Sequence, residues 1–328
     1  MGILRCFPDG SMLGSPFTDY LNVTTPVDNA DAVRAAVVPL VESLGAFEEV
    51  EGEGFRFFDP RLVNGKVQLV PDGMLKIKPR GKVLVVSASG AVLRRLRERG
   101  LFPEYLAVLS SFPHRVSMLH ATADYHVASP PEVISQVKLA ASSGELSLTR
   151  KRLLPSQCTY LLGADCDGAE TGTVYLGNKA NADVWAKVYD KRHERLSRGY
   201  AEPGSIVRVE VAVQSGVGAT LRDALHPRDL FYHHAGRSLV EVPPDFSGWS
   251  AHGEGYVLGE RRERTLFERM DSLIEYSVDI AKVGAMAIVL YGDMAAQVIG
   301  RKVVQRGASM VHLYQPKPTG VDVAMASA

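Results

Sequence analysis

Apolar residues along the chain follow two spacings that alternate in short stretches. Asp31–Leu44 sets Val33, Ala36, Val37, Leu40, Val41 and Leu44 three or four residues apart, the period of one helix face. It follows Leu21–Thr24, a β-favouring run ended by Pro26, so a strand and an amphipathic helix open the pattern. Runs at Phe55–Phe58, Lys66–Val70, Met74–Lys78 and Lys82–Ser87 predict strands, and helical spacing returns over Ala91–Arg99, stopped by Gly100, and over Leu101–Leu109. The order then recurs. Val116–Val127 alternates as a strand, Pro131–Ala141 reads as a helix with proline near its start, and Gln157–Leu162, Gly172–Leu176, Val184–Lys191 and Ser205–Val213 read as strands.

No sequence identity accompanies the recurrence, but the pattern is β-α-β-β twice. Helices set between runs of antiparallel-looking strands predict an α+β fold: a curved antiparallel sheet with helices on one face, built from a duplicated β-α-β-β unit. The longest helical candidate, Arg261–Leu290, lies beyond the Pro/Gly-rich stretch Val242–Gly259. The expected organisation is a domain over 1–242, a linker over 243–260 and a helical C-terminal region over 261–328.

Alternation also sorts polar residues onto faces, because residues two apart in a strand share one. Val207, Val209, Val211 and Val213 form an apolar face, which leaves Arg208 and Glu210 on the other. His120, Thr122, Asp124 and His126 lie opposite Leu119, Ala121, Ala123, Tyr125 and Val127. Trp185, Lys187, Tyr189 and Lys191 lie opposite Val184, Ala186 and Val188. If these strands pair, one side of the sheet gathers His120, Asp124, Glu210, Lys187, Lys191 and a tyrosine. Such a set suits phosphoryl transfer: carboxylates and imidazole can hold a divalent ion, a tyrosine can attack phosphorus, and lysines can neutralise phosphate charge. A merely solvated sheet face carries the same residue types. Alternation alone does not separate the two.

Charge narrows the partners. With 37 Lys+Arg against 37 Asp+Glu the net charge is zero, so no whole-molecule field draws in nucleic acid, and any DNA site must be a local patch. Lys76, Lys78, Arg80 and Lys82 alternate with Leu75 and Ile77 as one such patch; edge-strand lysines that block aggregation give the same pattern. His226 and His233-His234 lack the helical spacing of a zinc site. The three cysteines have no paired spacing, which favours a reducing compartment. No secretory signal is read before Asp19, and Val283–Tyr291 is too short to span a bilayer, so a cytoplasmic location without membrane contact is expected.

Three ordered blocks then carry a resemblance. Thr173-Val-Tyr-Leu-Gly-Asn-Lys, Trp185-Ala-Lys-Val-Tyr189-Asp-Lys-Arg-His-Glu194 and Val207-Arg-Val-Glu210 resemble the T-x-Y-x-G, R-x-YDK-x-x-E and R-x-E blocks of the rolling-circle replication initiators of small plasmids and filamentous phages. Asp19-Tyr-Leu-Asn-Val-Thr and Leu119-His-Ala-Thr-Ala-Asp124 resemble two further strands of that family, so the likeness runs from Asp19 to Gly216. Met118 and His120 stand where the family has Arg and its first Asp, and Lys179 and Lys187 replace Arg.

The resemblance implies a site-specific nicking and rejoining enzyme that cuts one strand of an origin, keeps the 5′ phosphate on Tyr189 and frees a 3′ hydroxyl primer. It implies a divalent cofactor, Mg²⁺ or Mn²⁺, on Asp124 and Glu210, with His120 as a third ligand of another type. Lys187 and Lys191 flank the nucleophile, and Tyr175 is the rival tyrosine. Lys179, Arg208, Lys76, Lys78 and Arg80 are the expected DNA contacts. Expected partners are supercoiled or single-stranded origin DNA, with host helicase, polymerase and a second copy of the chain as further candidates. A silent DNA-binding regulator on the same fold and a structural protein are the competing readings.

Overall fold

Paired strands, rather than helices, organise the chain. The computed structural model describes residues 11–63, 66–164, 170–197 and 204–251. In chain order the elements are β1 (Ser11–Met12), β2 (Phe17–Pro26), α1 (Ala30–Glu42), β3 (Phe47–Val50), β4 (Gly54–Val63), β5 (Lys66–Arg80), β6 (Val83–Ala88), α2 (Gly90–Glu98) and α3 (Phe102–Ser110). There follow β7 (Arg115–His126), α4 (Pro130–Ser142), β8 (Cys158–Ala164), β9 (Glu170–Leu176), β10 (Val184–Asp190), α5 (Lys191–Ser197), β11 (Ile206–Gln214), α6 (Leu221–Leu225) and α7 (Arg228–Ala235). The chain divides into two units, Met1–Gly259 and Glu260–Ala328. The helix expected over Arg261–Leu290 lies outside the described residues.

The fold is α+β; among the described residues it has an open, antiparallel sheet of 11 strands in the order β3-β4-β5-β6-β2-β7-β11-β10-β9-β8, and β1 also pairs with β7. The order is a palindrome. In each half a central strand (β2 or β7) leads into a 13-residue helix (α1 or α4), which delivers the chain to the outer edge, and four strands return to the centre. The repeated unit is therefore β-α-β-β-β-β, longer than the unit read from the sequence.

Period decides which face each element buries. On α1 Val33, Val37, Leu40 and Val41 turn inward, and on α4 Val133, Ile134, Val137, Ala140 and Ala141 do. They join Val207, Val209, Val211 and Val213 of β11 and Leu119, Ala121 and Ala123 of β7 in one core. Each valine, leucine or isoleucine among them contributes about 1.5–3 kcal/mol by leaving water.

Two local departures from the sequence reading have visible causes. Lys66–Val70 and Met74–Lys78 form one 15-residue strand, because Gly73 (φ +97°) takes a left-handed conformation while the pairing with β4 shifts register. Val184–Lys191 ends one residue early. Asp190 accepts the His193 N–H at 3.0 Å, a cap that starts α5 at Lys191.

Candidate active site

The polar faces expected from alternation do meet. β7, β11, β10 and β9 are neighbours, and their registers align Asp124, Arg208, Tyr189 and Thr173 in one row and Thr122, Glu210, Lys187 and Tyr175 in the next. The face is polar yet buried: Glu210 is 1% exposed and Tyr189 7%. Groups removed from water need partners; most find them in two linked clusters, while Thr122 Oγ1 and His120 Nε2 have no hydrogen-bond partner among the described residues.

Glu210 is the centre of the first. Tyr189 Oη donates to its Oε1 at 2.7 Å, Lys187 Nζ lies 2.9 Å from its Oε2, and His120 Nδ1 lies 3.3 Å from the same oxygen. Burial alone would raise the pKa of Glu210. The hydrogen bond from His120 and the charge of Lys187 outweigh it and hold the carboxyl well below the usual range. Tyr189 moves the opposite way, since burial and then the Glu210 charge push its phenol far above 10. The phenol is thus neutral and in contact with a fixed anion. Lys187 and Lys191 stand over its ring at 4.8 and 5.6 Å.

Arg208 is the centre of the second. Its Nε and Nη2 donate to the two oxygens of Asp124 at 2.6 and 2.7 Å, a bidentate fork, and its Nη1 donates to Asp19 Oδ2 at 3.1 Å. Lys191 pairs with Glu194, and burial lowers the lysine's pKa. Asp190 is turned away, its Oδ2 accepting the Thr171 hydroxyl at 2.8 Å.

The expected ligand residues are all engaged in these contacts. His120 presents Nδ1 to Glu210, Glu210 is shared by a phenol, an ammonium and an imidazole, and both oxygens of Asp124 are held by Arg208. Among the described residues no group of three His, Cys, Asp or Glu side chains is placed to hold a metal ion. With both oxygens of Asp124 held by Arg208 and those of Glu210 taken up by the Tyr189 phenol, Lys187 and His120, this arrangement does not fit an ion on His120, Asp124 and Glu210 together.

Both clusters open on a cleft of about 1050 Å³ lined by Tyr189, Lys187, Lys191, Arg208, Asp19, Asp124 and Glu210, with α2 and the β4–β5 ribbon forming its far wall. Among the described residues seven Lys and Arg face five Asp and Glu there, an excess of positive charge that the neutral composition hides. Arg97 and Arg208 stand over the ring of Phe17 at 5.0 and 5.2 Å.

The remaining expected DNA contacts lie apart. Lys179 is exposed, with its ammonium 5.5 Å from the Trp185 ring. Lys76, Lys78 and Arg80 are exposed on β5, on the cleft face but beyond β6 and β2 in the sheet. Lys78 lies 3.9 Å from Glu53. Laying α1 on α4 and counting along the paired strands puts Lys76 at the place of Lys187 and Lys78 at that of Tyr189. The first half therefore repeats the strands without the nucleophile. Tyr175 is half-buried, with its ring 6.4 Å from Trp185, and does not line the cleft.

Asp19 was not singled out from the sequence. It is the extra residue of a β-bulge, since Thr18 pairs with Ala121 and Tyr20 with His120, and bulges re-aim side chains. Alternation cannot reveal a residue that breaks it. Elsewhere, His234 Nδ1 is 2.8 Å from the Leu148 carbonyl and Trp249 Nε1 donates to Asp223 at 2.7 Å, which ties the first residues beyond Val242 to the folded unit.

No family model matches the chain, and no curated protein does. Among solved structures, the chain is similar to a rolling circle replication initiator protein from Geobacillus stearothermophilus, at 13% identity and a TM-score of 0.35, over 61% of this chain and 74% of that one. Among the described residues no helix is long and apolar enough to cross a membrane.

Proposed function

We propose that the protein nicks one strand of DNA at a replication origin, through attack of Tyr189 on a backbone phosphate. The observation that carries this reading is the 2.7 Å hydrogen bond from Tyr189 Oη to Glu210, set in a basic cleft beside Arg208 and Lys187. The ordered sequence blocks that resemble rolling-circle initiators supply the substrate and the biological setting.

In this reading a single strand enters the cleft with its scissile phosphate over Arg208. As the Tyr189 oxygen bonds phosphorus, its proton passes to Glu210. A phenol held this far above its ordinary pKa does not ionise first, so proton transfer and attack occur together. Lys187, Lys191 and Arg208 offset the charge that builds on the non-bridging oxygens. The products are a 5′-phosphotyrosine and a 3′ hydroxyl from which a polymerase can extend; the reverse reaction rejoins the strand.

Supercoiled plasmid carrying the replicon that encodes the protein provides the test. Incubation should convert it to open circles whose new 3′ end is extended by a polymerase while the 5′ end resists labelling by kinase. Retention of closed circles, or a 5′ end open to kinase, would overturn the reading. A DNA-binding regulator without chemistry would shift the plasmid in a gel and leave it closed.

A further inference from the structure

We propose that Asp19 is the general acid of this reaction, delivering a proton to the 3′ oxygen as it leaves phosphorus. The inference deepens the nicking reading and rests on it. A bridging oxygen expelled as an alkoxide is a poor leaving group, so a site that splits a phosphodiester gains from a proton donor opposite the nucleophile.

Position is the first support. Asp19 sits on β2, and the sheet order from there is β2-β7-β11-β10, about 14 Å of backbone spanned by three strand spacings. Tyr189 reaches in from β10, Asp19 from β2, and the Arg208 guanidinium lies between them, 3.1 Å from Asp19 Oδ2. A phosphate seated on Arg208 would have the phenol on one side and this carboxyl on the other, the arrangement an in-line displacement requires.

The local structure holds Asp19 there. The bulge turns it into the cleft, and α2 begins against it: a Cβ on Gly90 would fall 2.4 Å from Asp19 Oδ1. Only glycine allows that approach.

Charge pairing is the second support. Lys187 neutralises Glu210, and Arg208 gives its two-point fork to Asp124 and a single donor to Asp19, so Asp19 has the lesser share of that guanidinium, with Arg97 as a further nearby charge. Burial raises the pKa of Asp19 and the nearby Glu210 adds to this, while Arg208, Lys191 and Lys187 oppose it, with a net rise. An incoming phosphate adds negative charge and favours the protonated form further. One carboxyl is thus held ionised and another is pushed toward its acid form, the separation that assigns base and acid in a shared site.

The step balances. The Tyr189 O–P bond forms as the P–O3′ bond breaks, the Tyr189 proton goes to Glu210, and the Asp19 proton goes to O3′. On rejoining, Asp19 takes the proton back.

The test uses a single-stranded oligonucleotide containing the cut site mapped with the wild-type protein, made either with the ordinary linkage or with sulfur replacing the bridging 3′ oxygen. A thiolate departs without a proton. Asp19→Asn should cleave the ordinary strand about 10²–10⁴-fold more slowly than wild type and approach the wild-type rate on the sulfur-bridged strand. Lys191→Met, which removes a phosphate neutraliser, should be slowed alike on both. Equal loss on both strands by a folded Asp19→Asn, or rescue in Lys191→Met instead, would overturn the assignment while leaving the nicking reading intact. Failure of the wild type to cut either strand would instead sink that reading. Should Asp19→Asn fail to fold, Gly90→Ala, whose new methyl displaces the Asp19 carboxyl, should show the same selective rescue.

Discussion

Replacing Glu210 by Gln removes a charge from the centre of the site and leaves its shape. Glu210 is 1% exposed and meets Tyr189, Lys187 and His120 within 3.3 Å. Gln can still accept a hydrogen bond from the phenol, so packing survives. The contacts with Tyr189 and His120 lose the anion, that with Lys187 falls from an ion pair to an ion–dipole contact, and Lys187, 24% exposed at its side chain, regains part of its hydration. Stability should fall by about 1–3 kcal/mol. Catalysis loses the proton acceptor, worth about 10²–10⁴ in rate, or roughly 3–5 kcal/mol of barrier. Removing the anion also lowers the phenol's pKa, so the residual rate should rise in proportion to hydroxide concentration. Single-turnover nicking measured across a pH series, alongside thermal melts, separates the two effects. Wild-type rates in a folded Glu210→Gln protein would refute the role of Glu210 as base.

Other expectations follow from the same contacts. Arg208→Lys cannot hold both oxygens of Asp124 and reach Asp19, so it should lose nicking far more than DNA affinity; equal losses, measured by cleavage and by filter binding, would contradict this. Lys76→Gln with Lys78→Gln, at exposed positions on β5, should weaken DNA binding and reduce the slope of log affinity against log salt by up to about 2 without slowing cleavage of bound strands; an unchanged slope would remove this patch from the interface. His234 is 5% exposed, and burial holds its imidazole down at about 4, against a backbone hydrogen bond to Leu148 and with His233 and Arg237 nearby. The unfolded chain binds that proton more readily, so stability is full above about 6.5 and falls as pH drops from there to about 4, by up to about 3 kcal/mol. Melts of wild type and His234→Gln across that window should differ in slope; parallel curves would exclude His234 as the source.

Much of the site was legible because alternation is a local signal. The odd-numbered valines of β11 required Arg208 and Glu210 to share a face, and the same count put Lys187 and Tyr189 together on β10. Which strands pair was not legible. That Glu210 stands opposite Lys187 and Thr122 is a matter of register, set by tertiary packing. The expected ligand set of His120, Asp124 and Glu210 shows the consequence: the residue types were right for an ion, but the pairing brought Arg208, Lys187 and Tyr189 to the same oxygens. β3, whose Phe47-Glu-Glu-Val50 run is exposed at the sheet edge, lacks the apolar alternation that would announce it. Lys191 was read as part of the strand because the Asp190 cap is visible only once α5 turns back. Asp19 escaped for the most physical of these reasons, since a bulge shifts the period on which the reading rests.

A covalent bond between Tyr189 and DNA is the intermediate on which the nicking reaction depends. The protein is incubated with single-stranded DNA spanning the origin, quenched in denaturant, digested with nuclease and protease, and the nucleotide-bearing peptide is sequenced by mass spectrometry. The account predicts a 5′-phosphodiester on Tyr189 that is absent from Tyr189→Phe, while Tyr175→Phe retains it. A modified Tyr175, or an adduct formed by Tyr189→Phe, would contradict it.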